Sequence, residues 1–91
     1  MREVKINSLY KHFKGHTYKV IAIGFNSETY DERNPLKSKM VVYQNIDTNE
    51  TWIRPYDVFV SEVDHDKYPD IKQKYRFEKI KSVNKCWNKK I

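Results

Sequence analysis

Leu9-Tyr10-Lys11-His12-Phe13, the pair Lys14-Gly15, and His16-Thr17-Tyr18-Lys19-Val20-Ile21-Ala22-Ile23-Gly24-Phe25 form the stretch that decides the fold. It reads as a β-hairpin. Leu9–Phe13 is one strand, Lys14-Gly15 turns because glycine tolerates positive φ, and His16–Phe25 returns with a nearly continuous apolar centre. The first strand interleaves rings with cationic and hydrogen-bonding groups, and Trp52-Ile53-Arg54-Pro55 does the same further along. An ordinary half-buried strand keeps rings on one face and solvated charge on the other. The tight mixture predicts a small β domain with a polar, aromatic-walled pocket or groove.

Outward from the hairpin, Thr29–Ser38 is polar and reads as an exposed loop. Lys39–Gln44 is the next strand, Asp47-Thr48-Asn49 is turn chemistry, and Glu50–Arg54 is the partner strand. Pro55 cannot donate to a ladder and ends that strand, and Pro55–Phe59 suits a single 3₁₀ turn. Val58–Val63 reads as a short closing strand and Asp64–Asp70 as a loop. Ile71–Ile80 is open between a strand around Tyr75 and Phe77 and a helix with apolar residues at 71, 75 and 80. Val4 and Ile6 are candidate anchors for the lead-in. The expected fold is mainly β: a small SH3-like barrel of about five antiparallel strands with a 3₁₀ turn, an OB-like barrel being second.

At 91 residues the chain is one domain. We assign 1–80 to the barrel and 81–91 to a basic C-terminal tail. Such a chain buries roughly two thirds of the surface its unfolded form exposes, so its core is small. Aromatics make up 14% of it, which suits a barrel core of rings and β-branched side chains. A single cysteine, Cys86, excludes an internal disulfide. The absence of a long apolar run points to a cytoplasmic protein, bacterial or viral, with no membrane partner.

The net charge of +6 is unevenly spread: residues 1–20 carry +4, residues 21–70 carry −5 and residues 71–91 carry +7. Two basic ends around an acidic middle weaken the reflex assignment to nucleic-acid binding.

In order along the chain, the residues resemble a small bacterial and phage family known as domain of unknown function 1653. Its pattern runs Y-x-H-F-K-G, a Y-x-V strand, H-S-E-T, V-V-Y-R, W-V-R-P, a Phe, and a P-R-F segment. Tyr10, His12, Phe13, Lys14 and Gly15 match, as do Tyr18 and Val20. Ser27-Glu28-Thr29, Val41-Val42-Tyr43, Trp52, Arg54-Pro55, Phe59 and Arg76-Phe77 continue the match. Asn26 stands where the pattern has His, and Gln44 where it has Arg, so a ligand held by that His and Arg would be read differently here. The resemblance implies a compact β-barrel and carries no known activity.

Trp52 and Arg54, two apart on a strand, share a face, and an indole beside a guanidinium can sandwich a planar ring and pair with phosphate. The plainer alternative is an Arg stacked on Trp and paired to Glu28 or Asp57. Tyr10 and His12 likewise share a face, with His12 either touching ligand or bracing the turn. Lys14 and Gly15 offer a cation and a backbone N–H at a turn. Ser27, Glu28 and Tyr43 add directional hydrogen bonds, although Ser27-Glu28-Thr29 would equally cap a turn.

Nothing organises catalysis. His12, His16 and His65 lack metal-ligand spacing, Cys86 lacks a His partner, and no phosphate-binding Gly-rich loop occurs, so no enzyme, metal or cofactor is implied. The expected function is a non-enzymatic domain binding a small anionic, nucleotide-like ligand through Tyr10, His12, Lys14, Ser27, Glu28, Tyr43, Trp52 and Arg54. In a phage or defence setting this would be a sponge for a signalling nucleotide. Two alternatives stay open: a nucleic-acid-binding accessory protein using the basic tail, whose lysines interleave with Tyr75, Phe77 and Trp87, and a protein–protein interaction module. Open strand edges make a homo-oligomer an expected assembly.

Overall fold

A computed structural model describes residues 3–80 of the chain. The basic tail 81–91, with Cys86 and Trp87, lies outside the described residues.

The predicted hairpin forms. β1 (Leu9–His12) and β2 (Thr17–Phe25) pair antiparallel with Tyr10 opposite Tyr18. Its turn is closed by His12 N–H donating to the His16 carbonyl at 2.8 Å and by Gly15 N–H donating to the His12 carbonyl at 2.8 Å. Gly15 sits at φ +105°, where a side chain would be strained.

β3 (Lys39–Asn45) pairs with β2, and β4 (Thr51–Pro55) pairs with β3 with Tyr43 opposite Trp52. A bulge between Val20 and Ala22 shifts the register, so Val20 faces Tyr43 and Ile23 faces Val41. Three residues of β2 therefore answer two of β3, which keeps both apolar side chains inward and bends the strand. Between β2 and β3, Thr29–Ser38 is exposed as expected except for half-buried Asp31 and for Ser38, buried at the end of a 3₁₀ turn over Pro35–Ser38.

Two expectations fail. Tyr56–Phe59 is one turn of α-helix, α1, closed by Val60 N–H donating to the Tyr56 carbonyl at 3.1 Å, and the 3₁₀ turn lies earlier in the chain. Tyr56 and Phe59, three apart, share the helix face that enters the core. Because this turn takes up Val58 and Phe59, Val58–Val63 is not a strand; only Glu62 makes an isolated bridge, to Tyr75. The closing strand is instead β5 (Phe77–Lys79), antiparallel to β1 with Phe77 opposite His12. The ambiguous segment thus resolves as strand where Phe77 is buried.

The five strands lie in the order β4-β3-β2-β1-β5, with β4 and β5 as unpaired edges, so the hydrogen-bonded sheet is open. It is nonetheless strongly curled. In a flat sheet β3 and β5 would stand roughly 14 Å apart, at about 4.8 Å per strand. The Tyr43 and Phe77 rings meet with centroids 5.3 Å apart, and the Arg54 guanidinium lies 5.8 Å from the Phe77 ring centre.

The concave side holds the core: Val4, Tyr10, Val20, Val41, Tyr43, Tyr56, Phe59 and Phe77. Val4 anchors the lead-in, its N–H donating to the Tyr56 hydroxyl at 2.9 Å, whereas Ile6 is exposed. Ile53, paired with Val42, is exposed on the convex side, and Ile21 and Phe25 are exposed as well. No helix among the described residues is long and apolar enough to cross a membrane.

Candidate functional site

The inward-facing positions of β1, β2, β3 and β4 continue past the core to the rim of the curled sheet, where they line a cleft of about 270 Å³. Tyr43 and Trp52, opposite one another across the β3–β4 ladder, contribute one wall together with Arg54. The β1–β2 turn contributes His12, Phe13, Lys14 and His16, and β2 contributes Tyr18. Tyr68, Arg76 and Phe77 complete the lining from the segment leading into β5.

Two guanidiniums are fixed by the protein in the same manner. Arg54 Nε donates to the Tyr43 hydroxyl at 3.0 Å, and Arg76 Nε donates to Ser61 Oγ at 3.0 Å. Arg76 is also held through its backbone, its N–H donating to the Ser61 carbonyl at 3.0 Å and its carbonyl accepting from Phe13 N–H at 3.0 Å. Gln73 staples the same segment to β1, its side-chain amide donating to the Lys11 and Tyr75 carbonyls at 2.9 Å each. A guanidinium anchored through Nε keeps its two Nη groups for bidentate pairing.

His12 stacks on Phe13 with ring centroids 4.5 Å apart and meets Phe77 edge-on at 4.8 Å. Burial, reinforced by Arg54, Lys14, Arg76 and His16, lowers its pKa to about 4, so the ring is neutral at pH 7. The Lys14 backbone N–H donates to its Nδ1 at 3.1 Å, which places the remaining proton on Nε2. Burial also raises the pKa of Tyr18, with Tyr43 adding to the shift and a hydrogen bond from Asn45 opposing it.

The rings are arranged to receive a planar group. Trp52 is 48% exposed, far too open for a core residue. Phe13 packs on Tyr68 at 5.1 Å, and the Lys14 ammonium lies 5.9 and 5.6 Å from the two ring centres. Among the described residues, no carboxylate lines the cleft. Three permanent cations and two histidines therefore line the cleft beside aromatic surface with no carboxylate among the lining residues, a chemistry complementary to an anion and to a planar ring.

Of the eight residues named from the sequence, His12, Lys14, Tyr43, Trp52 and Arg54 come together here. Tyr10 does not: it is 3% exposed in the core, with its hydroxyl accepting from Lys5 N–H at 3.0 Å. Ser27 and Glu28 do not either. They follow Phe25, whereas the cleft meets β2 at its start, and a nine-residue strand separates its ends by roughly 26 Å. Glu28 and Arg54 consequently make no ion pair. Glu28 N–H instead donates to Asn26 Oδ1 at 3.0 Å in a local turn.

Sequence reasoning missed Phe13, His16, Tyr18, Tyr68, Arg76 and Phe77 as lining residues. Arg76-Phe77 was visible as a shared motif, but its strand reaches β1 only in three dimensions. No group of three or more His, Cys, Asp or Glu among the described residues is placed to hold a metal ion.

The curled antiparallel sheet and its cationic, ring-lined rim define a small β domain built around one candidate anion-binding cleft. Residues 8–79 match the model of the family described as Protein of unknown function (DUF1653), and the chain belongs to that family. Neither the curated proteins nor the solved structures gave a match.

Proposed function

We propose that this domain is a non-catalytic binder of a small anionic, nucleotide-like ligand held in the rim cleft. The observation that carries this reading is the pair of guanidiniums, Arg54 and Arg76, each pinned through Nε beside exposed Trp52 in a cleft without a carboxylate. Trp52 stacks on the base, and Arg54, Arg76 and Lys14 pair with phosphate. Binding rather than catalysis is supported by His12: a histidine held near 4 is a poor general base at neutral pH.

The same reading extends to an SH3-like barrel. Its support is the approach of Arg54, on one edge strand, to Phe77 on the other. Self-association is supported by the open β4 edge, with Ile53 and Phe25 exposed. Sequestration of a signalling nucleotide in a cytoplasmic phage or defence setting is the role such a small binder fits.

The test is a thermal-shift screen of the full chain against mononucleotides, cyclic and ADP-ribose-derived nucleotides, and short DNA and RNA oligomers at two salt concentrations. A salt-tolerant rise in Tm with a small nucleotide, lost in Arg54→Ala, is the expected result. Stabilisation by oligomers alone, falling steeply with salt, would replace this reading with nucleic-acid binding. Silence across the panel would leave the protein-interaction module standing.

A further inference from the structure

Most polar groups of the cleft are donors, the His16 ring and the Tyr18 and Tyr68 hydroxyls being able to accept as well, and that balance selects among anions. Arg54 and Arg76 use Nε on Tyr43 and Ser61, which leaves four Nη groups, all of them donors. Lys14 has donors only. His12 accepts at Nδ1 from the Lys14 backbone, so its other ring nitrogen also donates. The Tyr43 oxygen already accepts from Arg54, which directs its own proton elsewhere. A ligand group seated here must therefore supply acceptors and negative charge in quantity.

Building on the pocket reading above, we propose that the cleft selects a phosphate monoester, a terminal phosphoryl group carrying two charges, over a phosphodiester carrying one. A monoester dianion presents three terminal oxygens to the donors, whereas a diester presents two and esterifies the others. A diester would leave cationic donors desolvated and short of acceptors, the costly side of a buried hydrogen bond. Size narrows the class further. A cleft of about 270 Å³ falls just below the usual range for ligand sites, about 300 to 1,000 Å³, and suits a mononucleotide better than a dinucleotide or a strand.

Calorimetric titration of the full chain with the four ribonucleoside 5′-monophosphates and their 3′,5′-cyclic counterparts, at pH 7.5 and low salt, tests this. At that pH the monoesters are dianions, their second pKa being about 6, and the cyclic forms remain monoanions. For whichever base is preferred, the monophosphate should bind at least about tenfold more tightly than its cyclic form. Lys14→Gln, a change at an exposed side chain that spares the fold, should narrow that ratio.

Equal or tighter binding of the cyclic forms would overturn the monoester preference and leave the pocket reading intact. No binding by either series, with stabilisation by oligomers instead, would overturn both.

Discussion

Tyr43 and Arg54, eleven residues apart on adjacent strands, are joined by a 3.0 Å hydrogen bond from Arg54 Nε to the Tyr43 hydroxyl. The Tyr43 ring is buried against Phe59 and Phe77, so the core itself aims the guanidinium at the cleft. Tyr43→Phe keeps the ring and removes the acceptor. Its expected cost in stability is that of one partly buried hydrogen bond, about 0.5–1.5 kcal/mol. Nucleotide affinity should fall as well, because the guanidinium loses its anchor. Urea unfolding and calorimetric titration of the same variant separate the two effects; a loss of stability with affinity unchanged would sink the positioning role.

Arg54→Lys keeps the charge and discards the fork. A lysine there can neither bond Tyr43 through Nε nor present a bidentate pair, so it should recover little of the affinity lost in Arg54→Ala. Full rescue by Lys would mean that Arg54 acts only as a point charge.

His12 gives the domain a defined acid response. Its folded pKa, about 4, lies below the ordinary 6.5, so the unfolded state binds its proton first as pH falls. The contribution to stability is fully present above 6.5, declines between 6.5 and 4, and is gone below 4. For a ring only partly screened from water, about 1–2 kcal/mol is the expected size of that decline. Urea midpoints at pH 7.5 and 4.5 should differ less in His12→Gln than in the parent chain, whatever packing the substitution costs at both pH values. Equal differences in the two proteins would show that other groups drive the acid response.

How legible the molecule was in its sequence depends on the range of the forces involved. The β1–β2 hairpin, β3 and β4 were readable because local turn chemistry and alternation set them. The pairing of Trp52 with Arg54 on one face followed from the period of a strand. Tyr10 shares a face with His12 by the same rule, yet one is core and the other rim. Period gives the face of a residue but not its depth along the strand.

Val58–Val63 reads as strand because Val58, Phe59, Val60 and Val63 favour one, but Tyr56 and Phe59 gain burial three residues apart, and that favours the helical turn. Tyr68 and Arg76 reach the cleft through tertiary stapling by Gln73 and Ser61, for which no local sequence signal exists.

Asn45 organises the β3–β4 connection from a buried position. Its Oδ1 accepts from Asp47 N–H at 2.8 Å and Thr48 N–H at 3.2 Å, while its carbonyl accepts from Asn49 N–H at 2.8 Å. Asn49 stands at φ 66°, which asparagine tolerates and β-branched residues do not. Asn45→Ala should cost about 1–3 kcal/mol by leaving turn amides unpaired. Asn49→Gly should be near neutral and Asn49→Val clearly destabilising. Denaturant midpoints of the three variants check the set, and a harmless Asn49→Val would remove the case for a strained turn.

Phe59 and Phe77 stack with centroids 4.1 Å apart and planes 7° from parallel, and neither is exposed to solvent. One comes from α1 and the other from the edge strand β5, so this contact helps hold the sheet in its curl. Phe59→Ala removes most of a buried ring, at about 3–5 kcal/mol. That approaches the whole stability of a small domain, which starts near 5 kcal/mol. Phe59→Leu, which retains most of the volume, should fold with a lowered Tm. In that variant the amides of Phe77–Lys79 should exchange faster than those of β2 and β3, because β5 has only β1 as a ladder partner. Uniform acceleration across the sheet would show instead that the stack stabilises the domain as a whole, without a particular hold on its edge.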